Sequence, residues 1–112
     1  MDKLQVTTEI VDGATVIAPA GDIDMTASPV FRQELRKASD AKVQRLVIDL
    51  SKVPYMDSSG LATLVEAMQS ARKNKTRLVL CGLTERVRSI FAIAKLETLF
   101  TVTATREQAL GS

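Results

Sequence analysis

Two short apolar runs with a helical pattern between them constrain this chain more than any other feature. One is Arg45-Leu46-Val47-Ile48-Asp49-Leu50 and the other is Arg77-Leu78-Val79-Leu80-Cys81. Unbroken apolar residues over a strand's length predict strands covered on both faces. Between the runs, Leu61, Leu64, Val65, Met68 and Ala71 recur at helical spacing. A strand–helix–strand unit implies parallel strands joined by a right-handed crossover.

The flanking sequence extends this unit. Val6, Thr8 and Ile10 alternate with Thr7, Glu9 and Val11 and stop at Asp12-Gly13, a strong hairpin signal. Ala14 to Ala20 reads as the antiparallel partner. Pro19 has no N–H to donate, so that side of the backbone is expected at an edge or a strand end. Gly21-Asp22-Ile23-Asp24 reads as a loop. Ser28-Pro29 predicts a helix start with Ser28 as the cap, and Phe31, Leu35 and Ala38 form its buried stripe. Val87, Ile90, Phe91 and Ala94 mark another helix, Thr101-Val102-Thr103 a short strand, and Thr105 to Leu110 a final helical turn. The expected fold is α/β: a single domain over 1–112, ordered from about 4 to 110. It has a mixed, mostly parallel sheet, an N-terminal β-hairpin and helices packed on it.

Composition narrows the chemistry. The chain has 112 residues, 46% of them hydrophobic, which suits one small domain with a real core. A net charge of +2 is too balanced for a protein that coats nucleic acid, and one Tyr, three Phe and no Trp offer few stacking platforms. Histidine is absent, which removes Ser-His-Asp and Cys-His triads and His-based zinc sites. Cys81 is the lone cysteine and lies inside an apolar run, which suggests a core residue and a reduced, cytoplasmic setting. The N-terminus lacks a signal-peptide pattern, and no apolar run reaches the roughly 20 residues that span a bilayer. Arg72-Lys73-Asn74-Lys75 reads as a solvated helix end whose cations suit the dipole.

Chemistry-bearing residues concentrate at Tyr55-Met56-Asp57-Ser58-Ser59-Gly60, between a buried strand and a helix. A nucleophile elbow would need Gly two residues before the serine, where Met56 stands, and no phosphate-binding Gly-rich loop is present. Asp22, Asp24, Asp49 and Asp57 are too common in turns and helix starts for their spacing alone to argue a metal site. No metal, cofactor or catalytic residue is assigned. Two readings of Ser58 remain open: it or Asp57 caps the helix, or its hydroxyl accepts a phosphate at the helix N-terminus.

Val47-Ile48-Asp49-Leu50-Ser51, followed by Met56-Asp57-Ser58-Ser59-Gly60-Leu61, resembles the signature of STAS domains of the anti-sigma factor antagonist family. Gly21-Asp22-Ile23-Asp24, Cys81-Gly82-Leu83 and the Leu96-to-Leu110 segment also fit that pattern. The resemblance covers essentially the whole chain. It implies a non-enzymatic partner switch. The unphosphorylated protein would bind an anti-sigma factor with GHKL-type serine kinase activity and so release a sigma factor. Phosphorylation at Ser58 would weaken binding, and a metal-dependent serine phosphatase would reverse it. By the same match, Gly21, Asp22, Asp24, Asp57 and Ser59 would surround the phosphosite. Gly60 and Leu61 would belong to the docking surface. Nucleic acid would not be bound directly, and no membrane insertion is expected. A STAS subunit of a transport assembly, such as a lipid-exporting ABC system or an anion transporter, is the alternative.

Overall fold

In the computed structural model, residues 3–112 are described. Five strands form one sheet in the order β1-β2-β3-β4-β5: β1 (Gln5–Val11), β2 (Ala14–Ala20), β3 (Arg45–Asp49), β4 (Arg77–Cys81) and β5 (Thr101–Thr103). β1 and β2 are the antiparallel hairpin, and every later pairing is parallel. The helices are α1 (Ser28–Asp40), α2 (Ser58–Asn74), α3 (Glu85–Ile93) and the short α4 (Arg106–Leu110). The α/β reading, with a mixed sheet and opening hairpin, matches this arrangement.

Strand alternation explains the two apolar runs. Ile17, Leu46, Ile48, Leu78 and Leu80 face Phe31, Leu35, Leu64, Met68, Val87 and Phe91 from α1, α2 and α3 in the main core. Phe91 also meets Phe100 at a ring separation of 5.7 Å. The alternate positions Val16, Val47, Val79 and Cys81 pack on the opposite face with Ala109 of α4. Among the described residues, α4 is the helix that covers that side of the central strands. A run of periodicity-free apolar residues shows that both faces are covered, without saying by what. Burial holds the Cys81 thiol out of reach and, with Asp49 nearby, pushes its pKa up to about 12.

Pro19 lies where the β2–β3 ladder has already ended at Ile17↔Ile48, so its missing N–H costs no ladder bond. The start of α1 differs from the expectation. Ala27 is the cap residue, Ser28 is the first helical residue and Pro29 the second. The reason is a turn just ahead of the helix. The Asp24 carbonyl accepts from Ala27 and Ser28 N–H, and the Asp24 carboxylate accepts from Thr26 N–H at 3.0 Å and Ala27 N–H at 2.9 Å. The N–H groups of Val30 and Phe31, which a Ser28 cap would have satisfied, bond to Ala27 O instead.

Candidate functional site

The site is built where two loops leave the C-terminal ends of β2 and β3. Parallel pairing of these strands stops at Ile17↔Ile48 and resumes at two isolated bridges, Ala20↔Lys52 and Ile23↔Met56. Gly21 N–H donates to Lys52 O at 2.9 Å, Ile23 N–H to Tyr55 O at 3.0 Å, and Asp57 N–H to Ile23 O at 3.1 Å. The Gly21–Asp24 loop and the segment before α2 are therefore fixed to each other by backbone bonds. Gly60 permits this approach. A Cβ there would sit 3.0 Å from Ile23 O and 3.2 Å from Met56 Cβ.

Asp57 is the cap of α2. Its backbone is extended, and its Oδ1 accepts from Ser59 N–H at 2.9 Å and Gly60 N–H at 3.4 Å. The Ser59 hydroxyl also donates to Oδ1, at 2.5 Å. These bonds, the Ser59 hydroxyl first among them and the Met25 N–H included, hold the Asp57 carboxyl below its ordinary pKa against the opposing effect of burial. Asp57 is therefore ionised at neutral pH, and Ser58 is not the cap. Ser58 is the first residue of α2, exposed, and its hydroxyl has no partner among the described residues. Of the two adjacent serines, Ser59 is engaged and Ser58 is free.

Asp57→Ala tests this capping directly. It is expected to lose about 0.5–2 kcal/mol of stability at neutral pH. Because the folded-state pKa lies below the ordinary 3.8, the carboxylate's contribution is complete above that value and fades as pH falls through the folded pKa. The gap between wild type and Asp57→Ala in urea denaturation should thus narrow below about pH 4. A gap that stays constant down to pH 2 would show that the charge is not what stabilises the turn.

The residues singled out from the sequence fall into two groups. Asp22, Asp24 and Ser58 are exposed, Asp57, Ser59 and Gly21 are half-buried, and all belong to the two stitched loops and the start of α2. Gly60 and Leu61 are buried, so they set the spacing of the loops and offer little surface to a partner. Asp49 lies apart. Burial pushes its pKa up, but the Ser51 N–H and hydroxyl and the Arg106 guanidinium more than offset this, leaving it lowered. Arg106 Nε meets Asp49 at 3.0 Å and its Nη1 meets Glu9 at 2.7 Å. Asp49 thus stands away from the other three aspartates weighed as metal ligands. Among the described residues no cluster of three or more His, Cys, Asp or Glu could hold a metal ion.

Sequence reasoning passed over Met25 and gave Tyr55 no role of its own. Met25 is 77% exposed in the first loop, and Tyr55 stands in the second with the Arg86 guanidinium 5.8 Å from its ring centre. For Met25, a large apolar side chain between Asp24 and Thr26 is the signal that would have found it. Among the described residues no helix is long and apolar enough to cross a membrane.

Comparison with known proteins agrees with this geometry. The profile of the STAS domain matches residues 5–109. The chain is similar to the anti-sigma-B factor antagonist of Listeria monocytogenes, with 36% identity over 83 residues, 74% of this chain and 73% of that protein. It is also similar to the anti-sigma-B factor antagonist of Bacillus subtilis, with 34% identity over 88 residues, 79% of this chain and 80% of that protein. The crystal structure of an anti-sigma factor antagonist from Mycobacterium paratuberculosis superposes with a TM-score of 0.91 at 27% identity, covering 97% of this chain and 92% of that one. A profile match over residues 5–109, the succession of strands and helices and the Asp57-Ser58-Ser59-Gly60 turn at the head of α2 converge: the chain belongs to the STAS domain family, among the anti-sigma factor antagonists.

Proposed function

We propose that this protein is a non-enzymatic switch that acts in the cytoplasm. Unphosphorylated, it binds an anti-sigma factor that is itself a GHKL-type serine kinase, and a sigma factor is released. Phosphorylation of Ser58 by that kinase weakens the complex, and a metal-dependent serine phosphatase restores it. The observation that carries this reading is the free Ser58 hydroxyl, exposed at the head of α2 beside a carboxylate already committed to capping. A kinase can approach it without any local unfolding. The exposed side chains of Met25 and Tyr55 on either loop supply apolar contact for the same partner.

Asp57 is not a base for Ser58 on this reading. Its Oδ1 already accepts three hydrogen bonds from Ser59 and Gly60, so deprotonation and metal binding belong to the kinase. The test is incubation with a candidate GHKL kinase and ATP, followed by phosphopeptide mass spectrometry. The expected product carries one phosphate, on Ser58. A phosphate found on Ser59, with Ser58→Ala still modified, would overturn the assignment.

A further inference from the structure

The two edges of the sheet are unequal. β5 is three residues long and runs straight into the turn before α4. β1 is seven residues long and pairs with β2 without a bulge, and its sequence Gln-Val-Thr-Thr-Glu-Ile-Val contains no Pro and no Lys. Thr7, Thr8, Glu9 and Ile10 are all exposed, Ile10 at 79%. Edges of this length normally carry some device that blocks pairing with another strand; β1 has a single charge, Glu9, and it is tied to Arg106.

The direction of its free backbone groups follows from the hairpin. The loop is Asp12-Gly13, with φ of 51° and 79°, and it closes on the pair Val11↔Ala14. A two-residue loop with both φ values positive makes that closing pair a hydrogen-bonded one. The odd-numbered residues of β1 therefore bond to β2, and the N–H and C=O of Val6, Thr8 and Ile10 point outward. The side chain of Thr8 lies toward α1, where its hydroxyl donates to Glu34 at 3.3 Å, and Val6 and Ile10 share that face.

We propose that β1 pairs antiparallel with β1 of a second copy, about a two-fold axis at Thr8, to give one continuous ten-strand sheet. Thr8 then exchanges both backbone bonds with the partner's Thr8, and Val6 does so with the partner's Ile10. Ile10 packs on the partner's Val6 and loses its exposure. Glu9, the one charged residue in the strand, faces the partner's Thr7, and its charge is already matched by Arg106 at 2.7 Å. Neighbouring registers fare worse. An axis at Glu9 would oppose two carboxylates directly. An axis at Thr7 would carry Ile10 beyond the start of the partner's strand, which begins at Gln5. The Ser58 loops leave the ends of β2 and β3, not the β1 edge, so this pairing does not depend on the switch.

Sedimentation equilibrium of the whole chain over a concentration series tests the proposal. The mass is expected to rise from 12.2 kDa toward twice that value. Thr8→Pro removes an outward N–H and leaves the β1–β2 bonds intact, and Ile10→Lys sets a charge against the partner's Val6. Each is expected to weaken association by at least about tenfold, with circular dichroism unchanged. Should Thr8→Pro fail to fold, the exposed Ile10→Lys carries the test alone. Wild type that stays monomeric at every concentration, or Ile10→Lys that dimerises as wild type does, would overturn the proposal.

Discussion

Ser58→Asp is expected to bind the anti-sigma kinase about ten- to a hundredfold more weakly than wild type, a loss of about 1.4–2.8 kcal/mol. Ser58→Ala is expected to bind as wild type does and to resist phosphorylation. The physical argument lies in which donors remain at the head of α2. A helix N-terminus favours an added anion because its first N–H groups are unpaired. Here the Asp57 carboxylate already takes Ser59 and Gly60, and Leu61 N–H bonds to Asp57 O. New charge at position 58 finds most of the turn's donors occupied and an ionised carboxylate next to it. It must stay solvated, and burying it under a partner costs desolvation and like-charge repulsion. Authentic phosphorylation adds more charge than aspartate and should weaken binding further. Titration calorimetry with the four proteins, wild type, Ala, Asp and phosphorylated, decides the matter. Phosphorylated protein that binds as tightly as wild type would end the switch reading.

Gly82→Ala is expected to cost about 2–4 kcal/mol, a sizeable share of the roughly 5–15 kcal/mol that holds a domain of this kind together. Gly82 follows β4 with φ of +70°, where a side chain is strained. An added Cβ would also lie 2.9 Å from Ser51 Cβ and 3.2 Å from both Ser51 N and Asp49 Oδ1. Those atoms begin the segment that leads from β3 to the Ser58 turn, so relief by movement would disturb the candidate site as well. Gly13→Ala is the control. Gly13 has a comparable φ of +79°, but its Cβ would meet nothing within 4 Å. Its cost should be the conformational one alone, about 1–2 kcal/mol. Urea denaturation reads both as shifts in midpoint at unchanged slope. Equal losses for the two variants would mean that the contact with Ser51 is relieved at no cost.

Local signals were legible in the sequence because they depend on near neighbours. Asp12-Gly13 fixed the hairpin, the two apolar runs fixed the central strands, and Asp57-Ser58-Ser59-Gly60 marked the head of α2. The face taken by α4 was not legible, because Val47, Val79 and Cys81 demand a cover without naming one. Nor was the Arg106–Asp49–Glu9 group, whose members lie 40 and 57 positions apart and meet only once the sheet has formed. The choice between Asp57 and Ser58 as cap also needed coordinates. Both residue types cap helices well, and which one does so turns on where the extended backbone ends. Ser28 illustrates the same point, since the Asp24 turn starts the helix one residue earlier, with Ala27 as the cap. Leu61 looked like surface by its place in a motif and is core by its place on the helix.

The bridges Ala20↔Lys52 and Ile23↔Met56 have a consequence for recognition kinetics. They hold both loops in one arrangement before any partner arrives, so ordering entropy is spent during folding and not during encounter. A partner then meets a rigid template, and association should proceed at an ordinary rigid-body rate. On the proposed switch, with the backbone fixed, discrimination between free and phosphorylated Ser58 would rest on charge more than shape and be felt chiefly in how long the complex lasts.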